Sequence, residues 1–153
     1  MPAPNAEIAD REIVLERVFD APRELVWRAF TQVEHLVHWW GPNGFRTTYD
    51  HYELRPGGTA KFTMHGPDGK EWPNKFWFLE VEEPSRIVFD HGDFEKPWLR
   101  VTVTFEQSGS RTRYRAHMAF PTAEACAAAK ARGAIELGKQ TYEKLANYLR
   151  AMS

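Results

Sequence analysis

The sequence predicts an α+β fold in which an antiparallel sheet of about seven strands packs against a long C-terminal helix. Three observations indicate this fold. One strand-like and two short helical segments come first, strand-like segments separated by tight turns follow, and a helical segment rich in Ala, Glu, Lys and Leu comes last. Short turns make successive strands antiparallel. No linker or repeat divides 11–150, so we expect one domain there, preceded by a flexible leader at 1–10.

The first strand and the two short helices precede the main run of strands. Residues 11–19 are rich in β-branched and apolar side chains, which predicts a strand. Apolar residues at helical spacing predict helices over 22–30 and 33–39. Asp20 can cap the first of these helices, and Gly41-Pro42 ends the second.

Turn residues separate the strands that follow. We expect these strands at 45–54, 59–65, 71–81, 86–91, 98–107 and 111–120. The clearest turn is Gly66-Pro67-Asp68-Gly69, because Gly supplies a positive φ and Pro presets the corner. Within the strands, apolar side chains fall on one parity and polar or charged side chains on the other. The sheet should therefore have one apolar face and one polar face.

The last segment is expected to form one helix from about 122 to 150. Thr122 can cap its N-terminus, and a bend near Gly133 or Gly138 is expected. Apolar side chains at intervals of three and four form a stripe that should pack on the apolar face of the sheet. The stripe consists of Ile135, Tyr142, Leu145 and Leu149.

Charge and cysteine content exclude several classes of protein. Twenty Lys and Arg against 21 Asp and Glu leave a net charge of −1, which gives no field to attract nucleic acid or an anionic membrane. The single cysteine, Cys126, cannot form an internal disulfide, as is usual in a reducing compartment. The N-terminus also lacks the apolar core of a signal peptide. We therefore expect a cytoplasmic protein with no nucleic-acid or membrane partner.

Four segments carry a specific combination of motifs. They are Arg17-Val-Phe-Asp-Ala-Pro-Arg-Glu-Leu-Val-Trp27, His35-Leu-Val-His-Trp-Trp-Gly-Pro42, Trp98-Leu-Arg-Val-Thr-Val-Thr-Phe-Glu106 and Gly133-Ala-Ile-Glu-Leu-Gly-Lys-Gln-Thr-Tyr-Glu-Lys-Leu145. Together they resemble the START-like (helix-grip, SRPBCC) superfamily, in the branch related to the heat-shock protein 90 ATPase activator.

The resemblance implies a fold but not one activity. It implies a deep cavity between a curved sheet and the final helix, whereas relatives range from co-chaperone domains and lipid carriers to hormone receptors and cyclases. One departure concerns Gly138-Lys139, where many members have Gly-Trp. The resemblance then implies a cavity that is wider or more polar at that end.

No catalytic or metal-binding constellation is visible in the sequence. His35 and His38 share a helix face but lack a third ligand nearby, and Cys126 lies among alanines, where a thiol behaves as a small apolar group. His91 ends a strand on the apolar parity, where it could orient a ligand or move a proton. Alternatively, it could bond to the backbone of the following loop. We predict no catalytic residue, no metal and no cofactor.

The aromatic content of 14% is high, and aromatic side chains supply rigid apolar surface for a core or a ligand cavity. Because adjacent tryptophans on a short helix cannot share one face, one of Trp39 and Trp40 should pack inward while the other stays near the surface or at the rim of the cavity. Tyr49 and His91 are the candidate polar anchors. The predicted ligand-binding residues are Trp40, Tyr49, Phe62, Met64, Trp77, Phe89, His91, Met118 and Tyr142.

Three functional hypotheses follow from these observations. The leading one is a domain without catalysis that binds a small hydrophobic molecule between sheet and helix. The second is a co-chaperone-like domain that contacts a chaperone or another protein through its surface. The third is a cyclase- or lyase-type enzyme that uses His91 or Asp50 as a base.

Overall fold

The structure is a computed structural model that describes residues 10–152, so the predicted leader lies outside the described residues except for Asp10. The strands are β1 (Glu12–Phe19), β2 (Arg46–Tyr52), β3 (Thr59–His65), β4 (Glu71–Glu82), β5 (Arg86–Gly92), β6 (Pro97–Ser108) and β7 (Arg111–Ala119). The helices are α1 (Arg23–Thr31), α2 (Val33–Leu36), α3 (Ala123–Ala131) and α4 (Ala134–Met152).

The strands within residues 10–152 form one seven-stranded antiparallel sheet in the order β1-β7-β6-β5-β4-β3-β2. From β2 to β7 each strand pairs with the next one in the chain, which is the predicted meander. The first strand closes the other side by pairing with the last, with Leu15 opposite Ala116. The predicted fold class and order of elements are thus confirmed, with two short helices between β1 and β2.

The predicted C-terminal helix is divided into α3 and α4. Gly133 has φ +85°, a left-handed conformation that glycine adopts without steric cost, and it interrupts the helix after Arg132. The expectation of one continuous helix was therefore wrong, although Gly133 is one of the two predicted bend positions. The Thr122 cap is confirmed, since its hydroxyl accepts a hydrogen bond from the Ala125 N–H at 3.0 Å.

The start of α1 also differs from the prediction. Its N-cap is Pro22, which makes no side-chain capping bond, so Asp20 does not cap this helix. The second short helix ends at Leu36 rather than at residue 39, and hydrogen-bonded turns lead from there to Trp40.

The core lies between the apolar face of the sheet and the helices α1 and α4. Leu145 and Leu149 of α4 are 0% and 4% exposed, as the predicted stripe requires. The ring of Phe30 from α1 lies 5.4 Å from Phe105 and 5.5 Å from Tyr114 on the sheet. A smaller cluster beneath α3 surrounds the buried Cys126. No helix within 10–152 is long and apolar enough to cross a membrane.

Candidate functional site

An apolar cavity of about 200 Å³ lies between the inner face of the sheet and the first half of α4. β5, β6 and β7 supply one wall, and α4 and the segment that follows α2 supply the others. The predicted residues on its wall are Trp40, Met64, Phe89, His91, Met118 and Tyr142. Among the described residues, no Asp, Glu, Lys or Arg side chain lines the cavity.

Three predicted residues lie elsewhere. Phe62 is fully buried behind the wall, with its ring 6.1 Å from Trp40, and Tyr49 packs against Phe62 with ring centroids 5.1 Å apart. Trp77 lies on the outer face of the sheet, where the Lys75 Nζ is 4.8 Å from its ring centroid. The placement of Trp77 in the cavity was wrong, because the neighbours of Trp77 in β4 take the inward parity.

Part of the cavity wall was not predicted from the sequence. Leu15, Phe30 and Thr141 also line the cavity, although they come from three separate elements. Gly138 faces Leu15 so closely that a Cβ at this position would lie 2.6 Å from the Leu15 Cδ1. Glycine thus allows α4 to approach β1 at this end of the cavity.

His91 is held by a hydrogen bond at the cavity wall. Its Nε2 lies 2.6 Å from the Oδ1 of Asn74, a polar residue on the inward parity of β4. The His91 ring also packs edge-on against Phe76, with centroids 4.8 Å apart. Burial lowers the pKa of His91 from 6.5 to about 4, so the imidazole is neutral at physiological pH.

Two tyrosines form a second polar group in the cavity. The hydroxyls of Tyr114 and Tyr142 are 2.9 Å apart, and their rings meet edge to face at 4.9 Å. Burial raises the pKa of Tyr142 to about 12 and that of Tyr114 well above its usual range, so both hydroxyls stay protonated at neutral pH. The Thr141 hydroxyl donates to the Leu137 carbonyl oxygen at 3.2 Å.

The adjacent tryptophans lie in different environments. Trp39 is fully buried, and its Nε1–H donates to the Ala29 carbonyl oxygen at 2.9 Å. Trp40 lies at the cavity, and its buried Nε1 has no hydrogen-bond partner among residues 10–152. Trp40 therefore contributes its aromatic surface rather than a polar contact to this wall.

The segment after Trp40 is hydrogen-bonded to α4. The Lys144 Nζ donates to the carbonyl oxygens of Gly41 and Pro42 at 3.1 and 3.4 Å. The Asn43 N–H donates to the Gln140 Oε1 at 3.1 Å. These bonds hold one rim of the cavity against the helix.

Residues 20–150 match the model of the family described as activator of Hsp90 ATPase homolog 1-like protein. The chain belongs to this AHSA1-like family. No curated protein sequence matches the chain at a significant level.

Solved structures show the same AHSA1-like fold. A solution NMR structure of a protein from Arthrobacter aurescens has 26% sequence identity and a TM-score of 0.87, and the match covers 95% of this chain and 89% of that one. A crystal structure of a protein from Mycobacterium smegmatis is 25% identical, covers 96% of both chains and has a TM-score of 0.87. A crystal structure of an AHSA1 protein from Silicibacter pomeroyi has 21% sequence identity and a TM-score of 0.74, and the match covers 93% of this chain and 99% of that one.

Of the two candidate bases in this AHSA1-like chain, His91 lines the cavity and Asp50 does not. His91 faces the amide of Asn74 rather than a carboxylate, and Asp50 is exposed on β2. The His35 Nδ1 lies 2.7 Å from the Tyr148 hydroxyl, and His38 stacks on the same tyrosine. Across the described part of the chain, no group of three or more His, Cys, Asp or Glu side chains could hold a metal ion.

Proposed function

We propose that this AHSA1-like domain binds a small neutral apolar molecule in the cavity between the sheet and α4, and that it does so in the cytoplasm. The observation that carries this proposal is the apolar cavity of about 200 Å³ with a few neutral polar groups on its wall. Ligand sites in proteins typically combine these two features. The buried free thiol of Cys126 fits a reducing compartment.

The volume limits the size of the ligand. An apolar cavity of roughly 150 Å³ holds one benzene molecule in another protein. About 200 Å³ therefore suits one ring with one or two small substituents, whereas a sterol is too large. Wall atoms that face an unfilled part of the cavity lack dispersion contacts on that side. A ligand that restores those contacts stabilises the folded protein.

A thermal-shift screen tests the proposal. Toluene, indole and p-cresol should each raise the melting temperature, whereas cholesterol should not. A ligand at a free concentration one hundred times its dissociation constant adds about 2.7 kcal/mol, which is a shift of several degrees for a domain of this size. Ala116→Phe should abolish the shift, because Ala116 lies on the cavity wall and the added ring would fill the space.

The matched control is Trp77→Ala, which removes an aromatic ring from the outer face and should leave the ligand-induced shifts unchanged. The proposal fails if none of the small rings stabilises the wild-type protein. It also fails if Ala116→Phe folds and retains the full shifts, because binding would then occur outside the cavity.

Exposed aromatic side chains favour protein interaction as a second candidate function. Trp72, Phe94 and Trp98 are 52%, 37% and 42% exposed, and they lie at the end of the sheet where β4 begins, β5 ends and β6 begins. The family description names an activator of the Hsp90 ATPase. A purified Hsp90 ATPase assay tests this candidate: stimulation that the Trp72→Ala/Trp98→Ala variant loses, but Ala116→Phe retains, would support it.

A further inference from the structure

Asn74 fixes which nitrogen of His91 carries the proton. The Asn74 Nδ2 donates to the Trp72 carbonyl oxygen at 2.9 Å, which identifies the other amide atom as the oxygen. That oxygen only accepts hydrogen bonds and lies 2.6 Å from the His91 Nε2. The His91 Nε2 must therefore carry a hydrogen and donate it to Asn74.

The second ring nitrogen of His91 is consequently an acceptor. A neutral imidazole has one N–H, so Nδ1 of His91 presents a lone pair. Within the described chain no hydrogen bond reaches this atom. The nearest rings are those of Phe62, Phe76 and Trp98.

The hydroxyl groups on the wall each have a partner, whereas the buried indole N–H of Trp40 has none and, being a donor, cannot accept a hydrogen bond from a ligand. Tyr114 and Tyr142 bond to each other, and Thr141 donates to the backbone of its own helix. The wall formed by residues 10–152 also has no charged side chain that could neutralise a charged ligand. A neutral ligand with a hydrogen-bond donor satisfies these conditions, because burying an unpaired charge is costly.

We propose that the cavity selects neutral single-ring molecules that carry a hydrogen-bond donor, such as a phenolic hydroxyl, and that this donor binds Nδ1 of His91. The inference rests on the proposed function and adds the polar chemistry of the ligand. Asn74 acts as a positioning residue, because it holds the imidazole in the accepting tautomer.

Isothermal titration calorimetry with p-cresol and p-xylene tests the proposal. The two probes have the same shape, and a hydroxyl in one replaces a methyl group in the other. The quantity measured is the ratio of their dissociation constants in the wild type and in His91→Phe. This variant keeps an aromatic ring but removes the acceptor. The binding of p-cresol should therefore weaken relative to that of p-xylene by about five- to tenfold.

NMR on the wild-type protein provides a readout that needs no variant. The ¹⁵N resonance of the His91 Nδ1 should move upfield when p-cresol binds, because the nitrogen lone pair then accepts a hydrogen bond. Binding of p-xylene should leave this resonance in place. Trp77→Ala serves as the control variant and should keep the wild-type ratio of dissociation constants.

The outcomes separate the two proposals. If both probes bind but His91→Phe leaves their ratio unchanged, or if p-cresol leaves the Nδ1 resonance in place, selection by His91 is overturned while apolar ligand binding stands. If neither probe binds the wild-type protein, the proposed function fails and this inference fails with it.

Discussion

The indole N–H of Trp39 donates to the carbonyl oxygen of Ala29 at 2.9 Å and so joins the turn after α2 to the last turn of α1. Carbonyl groups in the last turn of a helix lack partners within the helix. The adjacent Trp40 has a buried N–H without such a partner among the described residues. Two neighbouring indoles thus differ in the hydrogen bond that each contributes.

This difference predicts unequal effects of the same substitution. Trp39→Phe leaves a buried carbonyl oxygen unpaired, whereas Trp40→Phe removes a donor that has no partner. We expect Trp39→Phe to lower the free energy of unfolding by about 1–3 kcal/mol more than Trp40→Phe does. Urea denaturation of both variants measures the difference, and equal losses would contradict the assigned hydrogen bond.

A second prediction concerns the packing of α4. Leu145 is fully buried against the core, whereas Leu137 on the same helix is 40% exposed. Leu145→Ala should therefore lower the free energy of unfolding by about 2–5 kcal/mol. Leu137→Ala should change it by less than about 1 kcal/mol, because less apolar surface is lost. Chemical denaturation measures both, and similar values would show that the buried stripe is misplaced.

A third prediction concerns stability below neutral pH. Burial lowers the pKa of His91 from 6.5 to about 4, so between these values the unfolded state binds more protons than the folded state. The contribution of His91 to stability is complete above pH 6.5 and falls as the pH drops towards 4, by about 3 kcal/mol in total.

The curve of stability against pH tests this sign. Wild-type protein and His91→Phe are unfolded with urea at several pH values between 4 and 8. The stability of the wild type should fall more steeply on acidification than that of the variant, and parallel curves would show that His91 titrates normally.

A fourth prediction concerns the bonds between Lys144 and the rim of the cavity. Lys144→Met keeps the apolar stem but loses the hydrogen bonds to Gly41 and Pro42. We expect a loss of about 1 kcal/mol in stability and faster hydrogen exchange at the Asn43 amide. Lys139→Met on the same helix is the control, since Lys139 is exposed. Unchanged exchange at Asn43 in Lys144→Met would contradict the role of Lys144.

The sequence predicts the sheet well because its strands alternate and its turns are marked by Gly and Pro. The prediction fails for Trp77, which stands between Phe76 and Phe78, so that both parities of this segment carry aromatic rings. Pairing with β5 settles the choice: Phe76 lies opposite His91 and Phe78 opposite Phe89. That register depends on contacts between strands and cannot be read from β4 alone.

The polar groups of the cavity were only partly predictable. Asn74 is a polar residue on the buried parity of β4, a signal that could have identified it as a partner for an inward group. The bond between Tyr114 and Tyr142 joins β7 to α4, and its formation depends on how the helix crosses the sheet. Helical spacing predicts which side of α4 is buried, but it does not predict which strand each side chain contacts.

The pairing of β1 with β7 also determines when the sheet can be completed during synthesis. Of the described strands, β1 leaves the ribosome first, whereas its partner β7 leaves last. Ile13 and Leu15, which end up 3% and 6% exposed, also wait for the side chains of α3 and α4 that cover them, such as Cys126 and Ala129. Distant pairings of this kind slow folding. During synthesis, therefore, β1 waits longer for its partner strand than any other strand of the described sheet.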